Sequence, residues 1–72
     1  MAAVKWEKVS PYIDKAIETR RMVQYNDVIQ MAFAGDASDD VVDALDAIGS
    51  RVFTTAADVR KFLISQGYVL DE

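Results

Sequence analysis

Residues 36–49 read Asp36-Ala37-Ser38-Asp39-Asp40-Val41-Val42-Asp43-Ala44-Leu45-Asp46-Ala47-Ile48-Gly49. On a helix at about 100° per residue, Asp36, Asp39, Asp40, Asp43 and Asp46 all fall within an arc of about 120°. Val41, Ala44, Leu45 and Ile48 fall on the opposite side. The stretch predicts an amphipathic helix over 39–48, capped by Ser38 and stopped by Gly49. Asp39 and Asp40 suit the positive end of its dipole, whereas Asp46 lies at the wrong end for an anion. No lysine or arginine interrupts residues 36–46, so like charges one turn apart repel by about 0.2–0.5 kcal/mol per pair.

The same punctuation recurs on both sides of this segment. Ser10-Pro11 reads as an N-cap followed by proline at the first helical position, which predicts a helix over about 11–20 with Ile13, Ala16 and Ile17 on its dry face. Asn26 predicts the start of a second helix, 27–34, which buries Val28, Ile29, Ala32 and Phe33 and stops at Gly35. Thr55 and Asp58 have the spacing of a capping box ahead of a helix over 56–66, closed by Gly67. Residues 51–53 read as extended, and the apolar tail 68–70 is expected to dock back or to pair with them. Two stretches look alike: Val23 to Ile29 and Val52 to Val59 each run from an apolar, aromatic-bearing piece through a cap to Asp-Val.

The expectation is therefore a mainly α, compact four-helix domain over residues 1–72, with at most a minimal two-stranded pairing. Its expected core is Ile13, Ile17, Val28, Ile29, Ala32, Phe33, Val41, Leu45, Ile48, Val52, Phe53, Val59, Phe62 and Leu63. A chain of 72 residues buries only about 60% of its unfolded surface. Dimerisation is one remedy for so small a core, and a homodimer remains an alternative.

Composition narrows the chemistry. With no cysteine and no histidine, disulfides, cysteine-based zinc sites and the commonest general base are all excluded. Ser10, Ser38 and Thr55 read as caps, and the glycines as helix stops rather than as a phosphate-cradling loop. The aspartates do not follow the calcium-loop pattern. The expectation is a non-enzymatic protein with no cofactor and no bound metal. No apolar run is long enough to span a bilayer. Lys5, Glu7 and Lys8 interrupt any signal-peptide core. A cytoplasmic protein without a membrane partner is expected.

The net charge of −4 disfavours nucleic acid as a direct ligand, because affinity for phosphate comes from lysine and arginine releasing counterions. Asp36, Asp39, Asp40, Asp43 and Asp46 form either a solvated helix face or a docking face for a basic protein surface. Trp6, in the mixed-charge run Lys5-Trp6-Glu7-Lys8, is either a lid over one end of the bundle or an exposed partner-binding anchor. Arg20-Arg21 suits the C-terminus of the first helix, and Arg60-Lys61 is placed on the wet side of the last.

Residues 23–60 carry Tyr25-Asn26-Asp27-Val28-Ile29, then Asp39-Asp40-Val41-Val42-Asp43-Ala44-Leu45, then Val52-Phe53 and Ala57-Asp58-Val59. This succession resembles a family of small bacterial domains of unknown function, with a departure at Gly49-Ser50, where that family has a leucine-proline turn. The resemblance implies a fold rather than an activity. The order helix, extended, helix, helix, extended also resembles a winged helix. That resemblance implies a DNA-binding alternative in which the third helix, here the acidic one, would face phosphate. In size and charge the chain is similar to phage-type inhibitors that occupy the basic surface of a nucleic-acid-handling machine.

Overall fold

The computed structural model describes residues 3–71 and contains four helices, α1 (Trp6–Arg20), α2 (Tyr25–Ala34), α3 (Asp39–Asp46) and α4 (Ala56–Ser65). Helix α1 packs against each of the other three, and α2 lies along α3. This is the mainly α, four-helix domain that the sequence predicts.

Helix α1 begins five residues before the expected Pro11, and Pro11 lies inside it. The Ser10-Pro11 boundary is thus corrected: Lys5 is the capping residue, and the Lys8 N–H closes the first turn on the Lys5 carbonyl at 2.9 Å. Proline here removes the bond that would reach the Glu7 carbonyl and sets its ring against that carbonyl. Both Glu7 and Pro11 are exposed, so water can serve that carbonyl. In exchange the extra turn brings Val9 into the core at 0% exposure, beside Ile13 and Ala16. The helix closes at Arg21, whose φ of 63° is left-handed and whose N–H reaches the Ile17 carbonyl at 2.9 Å.

The start of α2 also differs from expectation. Gln24, not Asn26, is the boundary residue, and its side chain makes no cap. Val23 immediately before it is held in an antiparallel bridge to Phe53, with N–H to carbonyl distances of 2.7 and 3.1 Å. That bridge fixes where the extended piece ends, so the helix starts directly after it. The two look-alike stretches of sequence meet at this bridge.

Helix α2 ends in a Schellman turn, with Asp36 N–H to the Phe33 carbonyl at 3.3 Å and Ala37 N–H to the Ala32 carbonyl at 2.9 Å. The left-handed residue of the turn is Asp36, φ 54°, whereas Gly35 has an ordinary φ of −95°. The same motif closes α4, where Gly67 takes φ 81° and the Tyr68 N–H reaches the Leu63 carbonyl at 3.0 Å. Helix α3 is two residues shorter than expected. Bonds of the tighter i to i−3 type, Ile48 to Leu45 at 3.1 Å and Gly49 to Asp46 at 3.2 Å, wind its last turn. Ile48 is buried there all the same.

The expected pairing of 51–53 with 68–70 does not form. Phe53 pairs with Val23, and Val69 makes a parallel bridge to Val4. The tail does dock back, with Val4 N–H to the Tyr68 carbonyl at 3.0 Å and Leu70 N–H to the Val4 carbonyl at 2.9 Å. This docking leaves Val69 buried.

The core comprises Val9, Ile13, Ala16, Val23, Val28, Ile29, Ala32, Val41, Ala44, Leu45, Ile48, Val59, Leu63 and Val69. Ala16, Ala32 and Ala44, one on each of α1, α2 and α3, are fully buried, and their small side chains let the three helices approach closely. Two expected core residues lie outside it: Phe33 is 65% exposed and Val52 55% exposed. Ile17, Phe53 and Phe62 are half-buried against its edge. Among the described residues, no helix is long and apolar enough to cross a membrane.

Candidate functional site

The acidic stripe is divided by the fold. Asp36 stands off the helix in the turn after α2, which corrects its expected place on the helical arc. Asp39 and Asp40 occupy the first turn of α3 and are exposed; Asp43 is half-buried. The opposite side of α3 is locked into the core through Val41, Ala44 and Leu45. The Ser38 side chain makes no cap to α3, so the aspartates of the first turn are the anions nearest its positive end. Among the described residues, no lysine or arginine makes an ion pair with Asp36, Asp39, Asp40 or Asp43.

Asp46 has a partner that the sequence reading missed. Hydrogen bonding to Asp46, then the Asp46 charge, then burial hold the pKa of the Tyr25 phenol, at the start of α2, above its ordinary value. The signal for it was weak: an aromatic residue 21 positions upstream, on a helix packed against α3.

Two arginines are engaged away from the stripe. Arg20 in the last turn of α1 reaches Asp27 of α2 at 3.9 Å. Arg51 lies over the Phe62 ring, 4.9 Å from its centroid, and Phe62 in turn meets Phe53 at 5.4 Å with a 43° tilt. Lys61 is exposed, while Arg60 is half-buried. Trp6 is the first residue of α1, half-buried and packed against the core.

An open cleft of about 240 Å³ lies where the α2 entry faces the segment after α3, lined by Gln24, Tyr25, Asn26, Gly49, Ser50, Arg51 and Val52. The Val23–Phe53 bridge brings these two segments together. The lining offers amides, a phenol, a hydroxyl and a guanidinium, but no nucleophile paired with a base. Among the described residues, no group of three or more carboxylates is placed to hold a metal ion. No known protein family matches the chain, and neither a curated protein nor a solved structure is similar to it.

Proposed function

We propose that this domain is a non-enzymatic protein-binding module that docks α3 on a basic surface of another protein. One observation carries the reading. Asp39 and Asp40 are exposed and without an ion-pair partner among the described residues, on a helix whose other side is buried. The helix cannot roll to hide them, so their field faces outward and raises the encounter rate with a cationic partner. Occupying the basic surface of a nucleic-acid-handling machine is the form of docking that suits a small acidic domain.

The alternative, a duplex-binding winged helix, draws on the order α1, bridge, α2, α3, bridge. It asks α3 to approach phosphates with aspartates, and the resulting repulsion opposes it.

The test is affinity capture from the source lysate, with wild type beside an Asp39→Lys/Asp40→Lys variant and identification by mass spectrometry. These two residues are chosen because Asp46 is tied to Tyr25 and Asp43 is half-buried. A basic protein held by wild type and lost by the variant is the expected result. Equal capture by both would reduce the aspartates to solvation. A mobility shift of duplex DNA that weakens steeply with salt would favour the winged-helix alternative.

A further inference from the structure

We propose that Phe33, at the corner between α2 and α3, is the apolar anchor of the docking surface, seating in a pocket of a cationic protein surface. Asp36, Asp39 and Asp40 would meet the lysines and arginines around that pocket. The inference rests on the reading of α3 as a protein-docking face and deepens it.

Three features of the corner carry the proposal. Phe33 is the most exposed large apolar side chain described, at 65%, and the neighbouring Ala34 is also exposed. The helix turns its other side inward through Val28, Ile29 and Ala32, so nothing in the fold draws the ring in. The Schellman turn then brings the backbone of Asp36 back to that of Phe33. The Asp36 N–H bonds the carbonyl of Phe33 itself at 3.3 Å, and the chain folds back into α3, whose first residues are Asp39 and Asp40.

A lone exposed apolar residue is ordinary. An exposed aromatic followed within seven residues by three exposed acids and no base offers the two parts of an interface anchor, a ring that supplies affinity on desolvation and charges that supply selectivity. Charge decides the occupant. A second copy carries a net −4 and is repelled, as are nucleic acids and anionic lipid surfaces. A cationic protein surface with an apolar pocket remains.

The experiment is amide NMR titration of the full chain with two synthetic probes: a short amphipathic leucine–lysine helical peptide, and polylysine of equal charge. Wild type is compared with Phe33→Ser and with Asp36→Asn/Asp39→Asn/Asp40→Asn. The unbound spectra of both variants confirm the fold, since every altered side chain is exposed.

The expected result is shifts centred on residues 30–40 with the leucine–lysine peptide. Phe33→Ser should weaken binding about tenfold or more, as for an interface anchor, and the triple variant should also weaken it. Equal binding of both peptides along α3, with no effect of Phe33→Ser, would overturn the anchor and leave the acidic docking face standing. Absence of shifts with either cationic probe would overturn both. Concentration-dependent broadening of the protein alone, removed by Phe33→Ser, would make a second copy the occupant and also overturn the proposal.

Discussion

A β-carbon added to Gly35 would stand 3.4 Å from the Tyr12 hydroxyl and 3.5 Å from the ring's Cε1. A single methyl group would thus meet the side of α1 at ordinary van der Waals distance, and the φ of −95° is open to any residue, so it is bulk beyond Cβ that Gly35 excludes. Gly35→Ala meets only the Met31 carbonyl more tightly, at 3.3 Å, and should change stability by less than about 0.5 kcal/mol. Gly35→Val carries its extra methyl groups into that ring and should cost about 1–3 kcal/mol. Urea unfolding of the two variants, and of Gly35→Val combined with Tyr12→Ala, separates a local clash from a general helix-end effect.

Asp36 and Gly67 close α2 and α4 in the same motif, with a strained residue in one and a permissive one in the other. Asp36→Gly relieves a left-handed conformation that disfavours side chains and should stabilise the domain by about 0.5–1 kcal/mol. Gly67→Ala should destabilise it by about 1 kcal/mol, since φ is 81° there. Opposite shifts of the two urea midpoints are expected. A fall in midpoint for Asp36→Gly would contradict the assignment of Asp36 to the left-handed position.

The two threonine and serine caps are predicted to behave differently. Thr55 accepts from the Asp58 N–H at 3.2 Å, so Thr55→Ala should cost about 1 kcal/mol. The Ser38 side chain makes no such bond, and Ser38→Ala should change stability by less than about 0.5 kcal/mol. Thermal unfolding of the pair checks the contrast.

Because Asp46 raises the Tyr25 pKa, the phenol should ionise above the tyrosine value of about 10. Its folded state binds the proton more tightly than the unfolded chain does. The resulting stabilisation is fully present below about pH 10 and is lost as pH rises through the folded-state value. Absorbance titration of the tyrosinate should show one late transition that Asp46→Asn moves to lower pH. If no tyrosine responds to Asp46→Asn, the contact does not exist in solution.

Much of the fold was legible because helix ends announce themselves chemically. Thr55 and Gly67 mark boundaries, and the spacing of Val41, Ala44 and Leu45 gave the inward side of α3 correctly. Ser10-Pro11 misled because a strong local start signal lay inside a helix whose beginning is set by the burial of Val9. Phe33 misled for a different reason. Hydrophobic spacing marks which arc is apolar but not where the buried side of the helix ends, and α2 buries Val28, Ile29 and Ala32 while Phe33 stays outside. The bridges Val23–Phe53 and Val4–Val69 join residues far apart in the chain, and single-residue pairings leave no periodic trace. Of the proposed docking surface, the aspartates were visible in the sequence. The turn that separates Asp36 from α3 and bonds its N–H to the Phe33 carbonyl was not.

The parallel Val4–Val69 bridge draws the first and last described segments together, so that the chain leaves it at opposite ends only a few residues apart. A short peptide joining them would permit a circular permutant opened between Gly49 and Ser50, both exposed. For the same reason the whole domain could be spliced into a surface loop of an unrelated host without prising its ends apart.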